Sequence, residues 1–408
     1  MILTRSSHDL KPRPLIAPSP CAKPAIKKLD KYNMIRRGVL FYISFIALVL
    51  ASENGFSNGQ QPASGSTSTL CQNALLNIIG NSLAGKSNSE IQEHQIPNLR
   101  PVREQCSGTC WLNASLTEYE YLLAAQGIMV PHLSADYLMA QKLTRDTCAY
   151  AANGPKYSKL PNLDGDNPSA LGVLAHRYGL VPDTLFPYKP VGGWNKIIGQ
   201  LKVYAKQAWS RREAGEDFVK IRDEARTWAK QLIESEIGPF PRSFEVDGKT
   251  WTPETYSKYL ESQNSFHKEY AFFLSPDAAS HSMKYDSRYL VEMIMDPAQK
   301  ILERIKQNIL LKRSTLVSLR WAGQLENNNG VLKSNPNIRI PVKATPETVE
   351  HDLHAILVVG YREQDGKLTH LKLQNSWGTE NGLEGFNIIS VDDFFRVFHS
   401  MRDFTARK

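Results

Sequence analysis

The sequence predicts an α+β protein of two lobes, a helical lobe followed by a β lobe. Helical periodicity dominates residues 110–236, whereas the last hundred residues contain short apolar, β-branched segments separated by turn residues. Helices gathered in one half and strands in the other are typical of the α+β class. A chain of 408 residues is long enough to bury the core of two packed lobes.

Residues 1–51 are predicted to form a leader that ends in a signal peptide. Arg36 and Arg37 precede the twelve-residue stretch 39–50, which is apolar except for Ser44, and Ala51 supplies a small residue at the exit. An apolar stretch of this length is short for a permanent span, so we expect export to the periplasm, cell surface or medium. An uncleaved signal anchor is the alternative, and Met34 is a possible true start.

The basic charge of the chain is concentrated in this leader. Residues 1–50 contain nine lysines and arginines and two aspartates, and thus carry +7 of the net charge of +8. The nearly neutral remainder gives no reason to expect a nucleic-acid partner. No second apolar stretch of membrane length follows the leader, so no stable membrane span is expected after signal removal. The sequence does not indicate an oligomeric state.

Beyond the leader, residues 52–96 are predicted to be a flexible linker or a short propeptide, because residues 53–70 are rich in Gly, Ser, Asn and Gln. Helices are predicted over residues 110–126, 169–178, 201–236 and 297–311. Strands are predicted over residues 315–321, 355–361, 368–374 and 385–390. The first helix carries an apolar stripe of Leu112, Leu116, Tyr119 and Leu123.

Cys110 is the candidate nucleophile, because it begins that helix and a helix N-terminus favours a thiolate. A nucleophilic cysteine also needs a base that is held by a third group. His354 opens an apolar strand and Asn375 closes the next one. Neighbouring strands would place the imidazole and the amide side by side, with the amide oxygen fixing the ring.

These residues resemble the motifs of papain-like cysteine peptidases. The segment 107–111 (SGTCW) resembles their nucleophile motif, the segment 354–361 their histidine strand, and the segment 375–378 (NSWG) their asparagine motif. The resemblance implies that Gln105 and the backbone N–H of Cys110 form an oxyanion hole. It also implies that Trp377 shields the His–Asn hydrogen bond and that Trp111 supports the nucleophile.

The spacing of the motifs points to one branch of that family. Cys110 and His354 are 244 positions apart, which is more than in papain and the cathepsins. The additional residues fall at about 195–295. This stretch resembles the helical insert of the bleomycin hydrolase and aminopeptidase C branch. The resemblance implies a papain-like fold with a helical left lobe over 97–194, a largely helical insertion over 195–295 and an antiparallel β right lobe over 296–408.

Three features depart from the pattern of that branch. Gln105 lies five residues before Cys110, where the family usually has six. The paired glycines that bind the substrate backbone are represented only by Gly165 and Asp166. The C-terminal tail that makes those enzymes aminopeptidases is missing after Asn375, so an endopeptidase is expected.

The remaining cysteines receive structural roles. The resemblance implies a Cys106–Cys148 disulfide; Cys106 as nucleophile is the rival interpretation, and Cys71 is either free or paired with another chain. No spacing suggests a metal ligand set, and the chemistry requires no cofactor.

The sequence thus predicts a secreted thiol peptidase that acts on peptides or proteins through an acyl-enzyme. The alternatives are a catalytically silent papain-like protein that binds peptides or a partner, and an amidase or transpeptidase with the same dyad.

Overall fold

The structure, a computed structural model, describes residues 91–105, 108–163, 168–186, 191–264, 266–273, 292–321, 325–335 and 353–406. All of them belong to one compact unit within residues 57–408. The predicted leader and the four residues Cys71, Cys106, Gly165 and Asp166 lie outside the described ranges. None of the described helices is long and apolar enough to cross a membrane.

The first lobe is helical. Its helices are α1 (Cys110–Ala124), α2 (Ala135–Asn153) and α3 (Ala170–Tyr178). The two helices predicted in this part of the sequence are therefore present. The hydroxyl of Ser134 caps α2 by accepting a hydrogen bond from the backbone N–H of Tyr137. Gly179 ends α3 with φ of 79°, a conformation that residues with a Cβ rarely adopt.

Helix α1 is buried on almost all of its faces. Leu112, Leu116 and Leu123 fill the core as the predicted stripe requires, but Glu118 and Glu120 are enclosed as well. A buried carboxylate is stable only when it is paired and hydrogen-bonded. The buried glutamates therefore indicate that α1 lies at the centre of the protein and not at its surface.

Glu118 joins α1 to the β lobe. Arg402 Nε donates to its Oε2 at 2.8 Å, and the backbone N–H of Leu316 donates to its Oε1 at 2.8 Å. Both charged side chains are almost completely buried. The ion pair therefore fixes the nucleophile-bearing helix against two strands of the sheet.

The predicted helix over 201–236 is in fact two helices, α4 (Val191–Glu213) and α5 (Phe218–Glu236). Gly215, with φ of 94°, lies in the break, and the Asp217 side chain accepts from the N–H of Lys220 to begin α5. The buried stripe of α5 consists of Ile221, Ala225, Ala229 and Ile233.

A hairpin of β2 (Phe244–Val246) and β3 (Lys249–Trp251) leads into α6 (Pro253–Gln263). Thr252 and Thr255 form a capping box at the start of α6. The N–H of Leu180 donates to the carbonyl of Pro253 at 3.0 Å. The helical insertion is therefore attached directly to the first lobe.

The second lobe is built on a ten-stranded sheet of order β5-β4-β12-β6-β9-β10-β11-β8-β7, with β1 paired to β9. The strands are β1 (Ile91–Gln95), β4 (Phe266–Phe273), β5 (Glu292–Met295), β6 (Thr315–Arg320), β7 (Leu325–Asn328), β8 (Val331–Ser334), β9 (Leu353–Gln364), β10 (Lys367–Gln374), β11 (Phe386–Ser390) and β12 (Phe398–Ala406). The sheet is antiparallel except where β4 pairs with β5 and β8 with β11.

The four predicted strands correspond to β6, β9, β10 and β11. Strand β9 is buried along almost its whole length, because α1 and α7 (Ala298–Leu310) both contact it. A short helix, α8 (Val391–Val397), precedes β12. Strands β4 and β5 come from the region predicted to be a helical insertion, whose last described helix ends at Gln263.

Candidate active site

Cys110 is the first residue of α1, at the junction of the two lobes. Its thiol is not part of a disulfide and is half-buried. Strand β9, which carries His354 at its second position, contacts α1. The first turn of the nucleophile helix and the start of the histidine strand therefore belong to neighbouring elements. Trp111, which follows Cys110, is buried in the core.

His354 and Asn375 are brought together as the sequence predicted. His354 Nε2 donates to Asn375 Oδ1 at 2.8 Å. Because an amide oxygen can only accept, Nε2 carries the proton and Nδ1 is the basic nitrogen of a neutral ring. Asn375 is held in turn by its backbone N–H, which donates to the carbonyl of Gly385 at 2.9 Å, and by its Nδ2, which donates to Asn381 Oδ1 at 3.2 Å.

Two tryptophans cover this hydrogen bond. The ring of Trp377 lies 4.4 Å from the His354 ring, and the ring of Trp321 lies 4.9 Å from it. The two indoles also contact each other edge to face, with 5.0 Å between centroids. Trp321 was not among the predicted site residues. It follows β6, whose pairing with β9 places Leu319 opposite His354.

Burial sets the protonation state of His354. Burial lowers its pKa from 6.5 to about 4, and the hydrogen bond with Asn375 raises it only in part. The imidazole is therefore neutral at neutral pH, with Nδ1 able to accept a proton. A neutral imidazole with an open Nδ1 is the form in which a histidine can act as a general base.

Gln105 lies beside the asparagine motif despite its shorter spacing from Cys110. Glu104 forms an antiparallel bridge with Trp377, and the backbone N–H of Gln105 donates to the carbonyl of Ser376 at 2.8 Å. The Ser376 hydroxyl donates to Gln105 Oε1. This bond orients the Gln105 amide so that its NH₂ group remains a donor.

A buried ion network anchors the segment that carries Gln105. The carbonyl of Arg103 accepts from the N–H of Gly378, and its guanidinium pairs with Glu120 on α1. Arg100 and His132 also contact the Glu120 carboxylate, at 3.1 and 3.0 Å. Burial raises the pKa of Glu120, but the opposing effects of Arg103, His132 and Arg100 are larger and hold it below its usual range.

This network was missed from the sequence, since nothing local marks Glu120 as the partner of Arg103. Within the described ranges, no three His, Cys, Asp or Glu side chains are grouped as metal ligands would be.

The predicted Cys106–Cys148 disulfide is wrong, because Cys148 is a free thiol. It lies on α2, in a cluster with Ala151, Ala208, Ile221 and Ala225. Burial among these small apolar side chains raises the pKa of Cys148 to about 11. The resemblance that implied the disulfide did not take into account that α4 and α5 of the insertion cover this face of α2.

The chain is similar in sequence to aminopeptidase C of two bacteria. No family model matches the chain. Aminopeptidase C of Listeria monocytogenes is 18% identical over 379 residues, which cover 80% of this chain and 85% of the relative. Aminopeptidase C of Lactococcus lactis is 22% identical over 264 residues, or 56% of this chain and 60% of the relative.

Among solved structures, PepW from Lactobacillus rhamnosis HN001 has a similar fold. The TM-score is 0.56 at 16% sequence identity, and the match covers 88% of this chain and 90% of that chain. The likeness therefore extends over both lobes and the insertion.

Proposed function

We propose that this chain, which has the papain-like fold and is similar to aminopeptidase C of two bacteria, hydrolyses peptide bonds with Cys110 as its nucleophile. The observation that carries the proposal is the buried hydrogen bond from His354 Nε2 to Asn375 Oδ1, 2.8 Å long, beneath Trp377. It leaves Nδ1 as the base, on a strand that contacts the helix of Cys110.

The proposed reaction begins when His354 Nδ1 accepts the proton of the Cys110 thiol. The sulfur attacks the peptide carbonyl carbon, and the oxyanion is stabilised by the Gln105 NH₂ group and the backbone N–H of Cys110. His354 then gives the proton to the leaving amine, and the carbon–nitrogen bond breaks.

An acyl-enzyme on Cys110 remains. His354 accepts a proton from a water molecule, the hydroxide displaces the sulfur, and the proton returns to the thiol. Asn375 keeps the imidazole oriented in both halves of the cycle, while the two indoles keep water away from its hydrogen bond.

The first test compares the cleavage of a mixed peptide library by the wild-type chain and by Cys110→Ala and His354→Ala. Both variants are expected to lose at least about a thousandfold in kcat/KM, because they lack the nucleophile or its base. Cys148→Ser is the matched control, since it changes a thiol that lies on α2 away from the site, and it should keep wild-type activity. A wild-type chain that cleaves no peptide would favour the catalytically silent alternative.

We further propose that the enzyme is an endopeptidase. An aminopeptidase needs acceptor groups that bind the free α-ammonium of its substrate next to the nucleophile. Strand β12, the last described segment, is hydrogen-bonded between β4 and β6, and its Arg402 is occupied by Glu118. Residues 398–406 are therefore held in the sheet as β12, so we do not expect them to bind the α-ammonium of a substrate.

Matched pairs of peptides with a free or an acetylated N-terminus test this proposal. We expect similar kcat/KM values for both members of each pair. Cleavage of the free-amine peptides alone would contradict an endopeptidase and leave the nucleophile assignment intact.

We also propose that the protein is exported. This part of the proposal rests on the sequence of the leader, which lies outside the described ranges. N-terminal sequencing of the mature protein from a secreting host tests it. We expect a new N-terminus close after Ala51; the unprocessed N-terminus in the cytosolic fraction would contradict export.

A further inference from the structure

Arg103 lies two residues before Gln105 and takes no direct part in the proposed mechanism. Its side chain is 9% exposed, and each of its three guanidinium nitrogens donates a hydrogen bond. Nε donates to the Thr117 hydroxyl at 2.8 Å, Nη1 to the carbonyl of Leu133 at 2.8 Å, and Nη2 to Glu120 Oε1. Thr117 and Glu120 are buried residues of α1, so the guanidinium is attached to the helix that carries the nucleophile.

The backbone around Arg103 is attached to the asparagine motif instead. The carbonyl of Arg103 accepts from the N–H of Gly378 at 3.0 Å, and the N–H of Gln105 donates to the carbonyl of Ser376 at 2.8 Å. Arg103 therefore joins three parts of the site, which are its own segment with Gln105, the asparagine motif and α1.

The two proposed donors of the oxyanion hole belong to different elements. The backbone N–H of Cys110 is part of α1, whereas the Gln105 amide belongs to the segment that precedes this helix. A donor stabilises an oxyanion effectively only at about 2.7–3.1 Å from it, so the distance between the two donors must be kept constant. A guanidinium suits this task, because it is planar and its N–H groups point in fixed directions. The side chain of Arg103 bonds to one of the two elements, and its backbone belongs to the other.

We infer that Arg103 is a positioning residue: it holds the Gln105 amide at a fixed distance from the Cys110 N–H, so that both donors reach the same atom of the substrate. The inference rests on the proposed roles of Cys110 as nucleophile and Gln105 as oxyanion donor. Without the guanidinium, residues 103–105 keep their hydrogen bonds to the asparagine motif but lose those to α1. The two donors can then shift relative to each other.

The test uses a panel of N-acetyl dipeptide nitriles, which add reversibly to a cysteine without being cleaved. The Cys110 sulfur forms a bond to the nitrile carbon, and the thiol proton is transferred to the nitrile nitrogen, which lies where the oxyanion would form. The Kd of each nitrile is obtained from its protection of Cys110 against alkylation by iodoacetamide, followed by mass spectrometry. Alkylation itself needs no oxyanion hole, because the sulfur displaces iodide from a saturated carbon.

Arg103→Met is expected to raise the nitrile Kd about tenfold, and to change the alkylation rate without nitrile by less than about threefold. Gln105→Ala should raise the Kd at least as much. The double variant should be no weaker than Gln105→Ala alone, because Arg103 acts through Gln105; a merely structural role predicts that the two increases multiply. Arg103→Lys keeps the charge but not the planar fork, so its Kd should lie between those of the wild type and Arg103→Met.

Arg100→Met is the matched control. Arg100 is 10% exposed, and its guanidinium donates to the same Glu120 carboxylate at 3.1 Å and to the carbonyl of Val130 at 2.8 Å. The substitution leaves the backbone hydrogen bonds of residue 100 in place. It thus removes a buried arginine from the same carboxylate, but five residues from Gln105 instead of two. We expect its Tm to fall about as much as that of Arg103→Met, with a nitrile Kd within about twofold of the wild type.

An unchanged nitrile Kd in the Arg103 variants, an equal increase in Arg100→Met, or a double variant weaker than Gln105→Ala would overturn the inference. A folded wild-type chain that binds no nitrile of the panel would overturn it as well. If near-UV circular dichroism shows that Arg103→Met does not fold, Arg103→Lys replaces it. A chain that cleaves no peptide but shows the expected pattern of nitrile binding would contradict the proposed function alone.

Discussion

Asn375→Ala should impair the enzyme in a way that separates orientation of the base from loss of the fold. Asn375 Oδ1 accepts from His354 Nε2 and from the backbone N–H of Ser376, at 2.8 Å each. His354 is 4% exposed beneath Trp377 and Trp321, so water has little access to replace the lost acceptor. The variant therefore leaves a buried ring N–H without its partner.

The magnitude follows from that burial. An unsatisfied buried donor costs about 1–3 kcal/mol, and each 1.4 kcal/mol corresponds to about a factor of ten in rate. We expect kcat/KM for a blocked peptide substrate to fall about 10- to 100-fold. The hydrogen bond raises the pKa of His354, so its loss should also move the acid limb of the pH profile of kcat/KM to lower pH.

Asn381→Ala is the control for this prediction. Asn381 accepts from Asn375 Nδ2 at 3.2 Å and lies one hydrogen bond further from the imidazole. Its kcat/KM should change by less than about fivefold, the effect of one neutral hydrogen bond. A folded Asn375→Ala variant with wild-type kcat/KM, or with an acid limb at higher pH, would refute the reasoning.

Three predictions concern the stability of the fold. Glu118→Ala removes the buried carboxylate that pairs with the Arg402 guanidinium and accepts from the Leu316 N–H, and should lower the free energy of unfolding by about 3–5 kcal/mol in urea titrations, whereas a loss below about 1 kcal/mol would contradict a buried pair. The wild-type chain should lose stability as the pH falls from about 6.5 to about 4, because below 6.5 the unfolded His354 binds a proton that the buried imidazole, with a pKa of about 4, still excludes. This contribution is about 3 kcal/mol at most, and His354→Gln should show a shallower fall over the same range; an equally steep one would count against it. Since Cys148 is a free thiol, a reducing agent should shift the Tm of the wild type and of Cys148→Ser by the same amount, and a smaller shift in Cys148→Ser would argue for a disulfide at that residue.

The contact between His354 and Asn375 could be predicted because each of the proposed site residues occupies a local pattern that the sequence displays directly. Cys110 begins an amphipathic helix, and His354 and Asn375 flank two successive strands joined by the turn at Asp365 and Gly366. Antiparallel strands that follow each other in sequence usually pair, so the His354–Asn375 contact follows from short-range information. The same holds for Gly179, whose positive φ ends a helix where the sequence predicts a stop.

Residues whose role depends on distant parts of the chain were not predictable in this way. Trp321 reaches His354 only through the register of β6 on β9. The partners of Glu118 and Glu120 lie up to 284 positions away in sequence, so a helix that is buried on all sides looked like an ordinary amphipathic one. Cys148 was misassigned because its environment is created by helices of the insertion, which the resemblance to papain-like peptidases did not take into account.

The most direct test of the central claim is the intact mass and peptide map of the reduced protein after treatment with an epoxide inhibitor of the E-64 type between pH 5 and 8. We expect one equivalent bound to Cys110, and none in His354→Ala, because the thiol needs its base to open the epoxide. A folded wild-type protein that remains unlabelled across this range, or that is labelled at another cysteine instead, would contradict it.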